Sequence, residues 1–233
     1  MKIDKKIKSE TANWKFDKNV VKNFDSHINK SVPFYKISHN ITLNLTDYFL
    51  KEGSLIYDLG CSTGDLLSKV EKKHNNKKLK LIGLDNSKAM IIKAKKMKNK
   101  KINFKHIDIP SVSFKKADMF ISLYTMQFIN PKYRQELFKK IYKSLNWGGS
   151  LVIFEKIRGN DARFQDILTF LYFDFKRENG LKDLEILNKE ISLRSVLEPY
   201  TIKANIDFMK RAGFKDIMPV CQYLNFIGFL AIK

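Results

Sequence analysis

From Ser54 to Lys156 the chain alternates short apolar runs with stretches of helical periodicity, and this alternation restricts the fold more than any other feature. "SLIYDLG" leads to "TGDLLSKVEKKH", "LKLIGLDN" to "SKAMIIKAKKMKN", and "INFKHIDI" to the apolar "ADMFISLYTMQFI". A helix pattern "PKYRQELFKKIYKSL" and a turn "NWGG" then precede "SLVIFEK". Strands apolar on both faces, joined by amphipathic helices, predict βαβ units and a parallel sheet. From about Asp161 to Leu197 the strand signal disappears and only helical periodicity remains. A last helix, "TIKANIDFMKRAG", leads to "FKDIMPVCQY" and "NFIGFLAIK", which read as a hairpin-like pair. The expected fold is α/β: a doubly wound, mostly parallel, Rossmann-like sheet of seven strands, with a helical insert at about 161–197. Ahead of it, about 15–51 read as helix in two pieces broken at Pro33, and residues 1–14 as loose polar chain. One domain, 1–233, is expected.

Composition removes several classes. The start "MKIDKKIKSE" lacks an apolar core, so no secretory leader is expected. The longest near-apolar runs fall short of the roughly 18 residues a bilayer span needs. Two cysteines, Cys61 and Cys221, and four histidines without ligand spacing predict no metal centre. A cytoplasmic protein is expected. The net charge of +20 suggests nucleic acid, yet only six of the 44 basic residues are arginine. Phosphate readers usually use arginine forks, and the lysines here alternate with Ala, Met and Ile as on a solvated helix face. Direct RNA binding is therefore not expected.

The chemistry concentrates at strand ends. In an open parallel sheet, ligands bind beyond the carboxyl ends of the strands. "YDLGCSTG" closes the first strand with Asp58, then Gly60, Ser62 and Gly64, a corner where little side chain stands between backbone and ligand. Its spacing is D-x-G-x-S-x-G, not the G-x-G-x-x-G that seats a pyrophosphate. Asp85 ends the second strand, suited to paired ribose hydroxyls, and Asp108 the third, suited to an adenine amino group. One glycine corner and two spaced acids point to a nucleoside without a phosphate chain, with S-adenosylmethionine the obvious candidate. Taken singly, these residues also suit a turn glycine, a helix cap before Ser87 and a loop acid.

These motifs resemble the class I S-adenosylmethionine-dependent methyltransferases. Closer still is the carboxy-S-adenosyl-L-methionine synthase family, through "FDKNVVKNFDSHINKSVPFY", "GCS", "LDNS", "YTMQFI", "EK" at Glu155, "DFKRENGLKDLEI", "SVLEPYT", "AGF" and "NF". The resemblance implies an enzyme that moves a prephenate-derived carboxylate onto the methyl carbon of S-adenosylmethionine and releases phenylpyruvate. It implies a homodimer, no metal, and a product used by a partner enzyme that modifies wobble uridine in tRNA. Carried over by position, the contacts to S-adenosylmethionine are Tyr35, Gly60, Cys61, Ser62, Asp85, Asn86, Asp108 and Ile109. Cys61 contributes its backbone, since nothing beside it in sequence activates the thiol.

Two positions depart from the family pattern. Leu123 stands where members carry Asn, and Glu190 where an Arg binds the added carboxylate; Arg194 stands where the family has Glu. On one helix Glu190 and Arg194 face the same side, which makes Arg194 the candidate carboxylate anchor. No side chain stands out as a base, so catalytic residues stay unassigned. The competing functions are an ordinary methyltransferase acting on a small molecule or RNA, and a cofactor-binding subunit without turnover.

Overall fold

The computed structural model describes Val21, Phe24, residues 28–97 and residues 101–233. The expected loose stretch 1–14 lies outside these residues, as does most of the first helical piece. Residues 28–31 are helical, the chain breaks at 32–34 around Pro33, and α1 (Tyr35–Phe49) begins beyond a left-handed Phe34 at φ 57°.

The elements that follow are β1 (Leu55–Leu59), α2 (Asp65–Lys73), β2 (Lys80–Asp85), α3 (Lys88–Lys95), β3 (Ile102–His106) and β4 (Ala117–Leu123). They continue with α4 (Pro131–Ser144), β5 (Leu145–Lys156), α5 (Ala162–Glu178), α6 (Asp183–Ser192), α7 (Ile202–Ala212), β6 (Asp216–Tyr223) and β7 (Phe226–Ile232). The seven strands form one sheet in the order β3-β2-β1-β4-β5-β7-β6. β1 to β5 run parallel, and β7 pairs antiparallel with both β5 and β6. The chain starts in the middle with β1, works outward through β2 and β3, and then returns to β1's other side with β4. The sheet's crevice therefore lies between β1 and β4.

Strand periodicity sends alternate residues to opposite layers. Tyr57, Phe120, Ile153 and Phe229 pack on one face, with Ile141 and Met209 from α4 and α7. Ile56, Ile121, Val152 and Leu230 pack on the other, with Val70, Ile91 and Tyr172 from α2, α3 and α5. Burying each large apolar side chain contributes about 1.5–3 kcal/mol, so both layers are anchored by the same strands.

Two sequence expectations need correction. The run "ADMFISLYTMQFI" is not strand throughout. β4 stops at Leu123, Tyr124 takes φ 58°, and Met126–Phe128 form a 3₁₀ turn. The cause is a distant acid: the Glu155 carboxylate accepts hydrogen bonds from the Met126 N–H (3.0 Å) and the Gln127 N–H (2.7 Å) and curls the chain. Conversely, "NWGG" is part of β5 rather than a turn. Gly148 N–H donates to the Lys233 carbonyl and Lys233 N–H to Gly149, holding the segment extended beside the chain's last residues.

Candidate active site

The corner after β1 is held by β2. Gly60 and Cys61 both donate their N–H groups to the Leu84 carbonyl, at 2.8 and 3.0 Å. Gly60, Ser62 and Gly64 have φ of 79°, 51° and 82°, so three residues of five sit in the left-handed region. Gly60 has a second reason to be glycine: a Cβ there would collide with the Thr125 side chain, which packs over the corner from the loop after β4.

Asp85 fixes this arrangement. Its Oδ2 accepts from Ser62 N–H at 2.9 Å and its Oδ1 from Ser87 N–H at 2.8 Å. Ser87 in turn caps α3 by accepting from Met90 N–H through its hydroxyl. One carboxylate thus ties the end of β1 to the start of α3. Burial pushes the Asp85 carboxyl up, and the Ser87 and Ser62 amides pull it back. A carboxylate has about four acceptor positions, so two remain for a ligand.

A cavity of about 300 Å³ opens over this corner. Tyr35, Gly60, Cys61, Ser62, Asp85, Asn86, Asp108 and Ile109 all line it, so the structure brings together the eight residues expected at the S-adenosylmethionine site. Tyr35 stands at the first turn of α1, its ring 4.5 Å from His39 and 6.0 Å from Tyr124. Asp108 lies two residues beyond β3, its carbonyl accepting from Ser111 N–H, and Ile109 is buried beside it. The Cys61 thiol turns toward Gly83 of β2, and burial pushes it well above the ordinary thiol range, which agrees with a backbone role only.

The cavity has two electrical ends. At the β1–β2 end, Asp58 is buried, and burial, then Asp85, pushes its carboxyl up to about 7. Near it, Asp65 lies 3.4 Å from His39 Nδ1 and 2.7 Å from Lys69, and the His39 contact leads in holding it at about 2. Across β4 from that end stands Lys156, the last residue of β5, and Lys189 of α6 also lines the cavity. The Lys156 ammonium lies 4.6 Å from the Tyr172 ring centroid. Burial lowers its pKa to about 8; Glu190 opposes that shift and Lys176 adds to it. Lys189 Nζ is 3.2 Å from the Ser31 hydroxyl.

The wall between these ends is the curled segment after β4. Glu155 holds it from below, while Gln127 Oε1 accepts from Lys156 N–H at 2.7 Å. Arg134 donates to the carbonyls of Ile129 (2.7 Å), Gln127 (3.1 Å) and Glu198 (2.6 Å). Burial pushes the Glu155 carboxyl up to about 8, with Arg134 and the amides opposing it. Sequence reasoning did not place Lys156, Lys189, Tyr172 or His39 at the site. The one available signal was "EK", where Glu155 and Lys156 end the fifth strand as Asp58 ends the first.

Glu190 and Arg194 do not share a helix face. α6 ends at Ser192, and Arg194 follows in a turn, exposed, with its N–H donating to the Ile191 carbonyl. Neither residue lines the cavity over the glycine corner; both line an adjoining cleft. The Glu190 carboxylate is engaged by Lys176 at 2.7 Å, and Lys176 is itself 1% exposed with its ammonium 4.0 Å from the Tyr172 ring centroid. Leu123, the other departure, lines the main cavity.

The model of a methyltransferase domain matches residues 56–149, the span of β1 to the middle of β5. Over 223 residues the chain is 40% identical to the carboxy-S-adenosyl-L-methionine synthase of Nitratiruptor sp., covering 94% of this chain and 93% of that one. The chain belongs to the carboxy-S-adenosyl-L-methionine synthase family. Another synthase of that name, from Nautilia profundicola, is 39% identical over 226 residues, covering 94% of both chains. Among solved structures, the plantazolicin methyltransferase BpumL, in complex with a triazolic desmethylPZN analog and SAH, superposes with a TM-score of 0.65 at 19% identity. That match covers 91% of this chain and 90% of the other, and it shows the shared class I methyltransferase fold. Among the described residues no helix is long and apolar enough to cross a membrane, and no group of three His, Cys, Asp or Glu is placed to hold a metal ion.

Proposed function

We propose that this enzyme makes carboxy-S-adenosyl-L-methionine from S-adenosylmethionine and prephenate, releasing phenylpyruvate and water, the water formed from the ring hydroxyl of prephenate and a proton of the methyl group. The observation that carries the reading is the polarity of a single cavity, acidic at the β1–β2 corner and cationic at Lys156 and Lys189. A cationic nucleoside fits the first end. A carboxylate arriving at the second end fits the lysines, and an ordinary methyl transfer to a neutral acceptor has no use for them.

S-adenosylmethionine supplies the methyl carbon, made acidic by the adjoining sulfonium, to which the carboxyl group is added. The chain's own residues bind and orient. Asp85 holds the ribose hydroxyls with its two remaining acceptor positions. Asp108 and Ile109 frame the base. Asp58 faces the ammonium of the amino-acid end, and Tyr35 and Tyr124 cover the reacting carbon and exclude water. Lys156 attracts the carboxylate, and its field there is strong because the surrounding walls are apolar. The segment Asp161–Leu197 acts as a cap on one S-adenosylmethionine-binding domain. The functional unit is a homodimer in the cytoplasm, and its product serves a partner enzyme that modifies wobble uridine in tRNA.

Incubating the protein with S-adenosylmethionine and prephenate and weighing the products tests this. Phenylpyruvate together with a nucleoside heavier by one carboxyl group is expected. Formation of S-adenosylhomocysteine in the presence of an RNA acceptor, without the carboxylated product, would sink the proposal in favour of ordinary methyl transfer.

A further inference from the structure

Beside the main cavity lies an open cleft of about 620 Å³, walled by the end of β5, the end of α6 and the chain leading into α7. The two spaces meet at Lys156, Leu193 and Leu197, which line both. Arg158 and Arg194 stand in the cleft and not in the cavity over the glycine corner. Both are exposed, and among the described residues neither guanidinium has an acidic partner within ion-pair distance. The Lys156 ammonium lies over the Tyr172 ring, with Glu190 near enough to favour its charged form.

The cleft's acids do not cancel this charge. Glu190 is already engaged at 2.7 Å by the buried Lys176. Glu198 lines the cleft and gives its backbone carbonyl to Arg134. Three cations, Lys156, Arg158 and Arg194, line the cleft; with Glu190 paired to Lys176 they face one further acid, Glu198, and the excess matches the charge of a dicarboxylate. The geometry is also directional. Lys156 sits at the junction with the S-adenosylmethionine cavity, while the two arginines lie on the outer side. Arginine offers a planar fork that binds carboxylate in two places, whereas lysine offers a point charge, less demanding of orientation.

We propose that this cleft is the seat of the carboxyl-donating co-substrate, a dicarboxylic acid. Arg158 and Arg194 hold the carboxylate that stays, and Lys156 holds the one nearest the sulfonium. Glu190 serves Lys176 and not the substrate. The inference rests on the function proposed above, because that function supplies a co-substrate with two carboxylates.

The test separates the two claims. Wild-type protein saturated with S-adenosylhomocysteine is titrated with prephenate by calorimetry, beside steady-state assays of carboxylated product. The double variant Arg158→Gln/Arg194→Gln is expected to raise the KM for prephenate at least tenfold. Its affinity for S-adenosylhomocysteine stays within twofold, since neither arginine lines that cavity. Lys156→Gln is expected to lower kcat as well as weaken prephenate. Prephenate that binds the wild type but yields no carboxylated product refutes the proposed function while leaving the seat tested by the variants' binding. A double variant whose prephenate affinity and KM stay within twofold of wild type overturns the seat, whatever the product.

Discussion

Replacing Asp85 by Asn isolates the carboxylate on which both the corner and the proposed sugar contact depend. The wild-type oxygens accept from Ser62 and Ser87 at 2.9 and 2.8 Å. Asn keeps one acceptor oxygen and turns an NH₂ toward a former donor, so at least one of these bonds is lost. A hydrogen bond to a charged group is worth about 1.5–3 kcal/mol, so the folded state should lose about 2 kcal/mol. In a chain of this size that corresponds to a fall in Tm of about 4–8 °C. One ribose hydroxyl loses a charged acceptor by the same substitution, and a further ~2–3 kcal/mol disappears from binding, about 30- to 150-fold in Kd. Calorimetric titration with S-adenosylhomocysteine and thermal unfolding by circular dichroism measure the two quantities separately. A lower Tm with affinity within threefold of wild type would mean that Asp85 only ties the corner and touches no sugar. An unchanged Tm would mean that the ties to Ser62 and Ser87 contribute nothing.

Asp58 makes binding depend on pH. Its carboxyl, pushed up to about 7 by burial and then Asp85, is neutral below that value and loses its pull on the ligand's ammonium. S-adenosylmethionine should therefore bind about tenfold more weakly at pH 6 than at pH 8, and Asp58→Asn should flatten that dependence, as read by fluorescence or calorimetric titration. Gly60→Ala forces a side chain into the left-handed region at φ 79° and against Thr125. It should cost about 1–2 kcal/mol by thermal unfolding and more in affinity, because the corner must shift to relieve the contact. Glu190→Gln leaves the buried Lys176 ammonium without its carboxylate and should cost about 2 kcal/mol in urea unfolding. Lys176→Met combined with Glu190→Leu should recover most of that loss.

The sheet was legible because its strands are apolar on both faces and its helices are not, and the acids closing β1 and β2 stand out against those runs. Asp58 and Asp85 are visible as chemistry for that reason. The cationic end was not. Lys156 is one lysine among many in a chain of net charge +20, and nothing in its neighbours marks it as the one turned inward. The 3₁₀ turn at Met126 was hidden for a related reason. "LYTMQFI" has every property of a continuing strand, and the carboxylate that bends it is 29 residues away in sequence. Arg194 was misplaced relative to its helix because Ser195, at φ 58°, carries no glycine to announce that α6 has ended. Long-range polar contacts and left-handed residues other than glycine are what single-sequence periodicity cannot register.

β7 is the final strand in the chain but lies inside the sheet, between β5 and β6. During synthesis, β5 waits with one raw margin until β7 emerges from the ribosome, and β6, made just earlier, has nothing to join. The half-built sheet is then open to pairing with another nascent chain, so chaperone dependence and losses to aggregation should concentrate in the interval before β7 emerges.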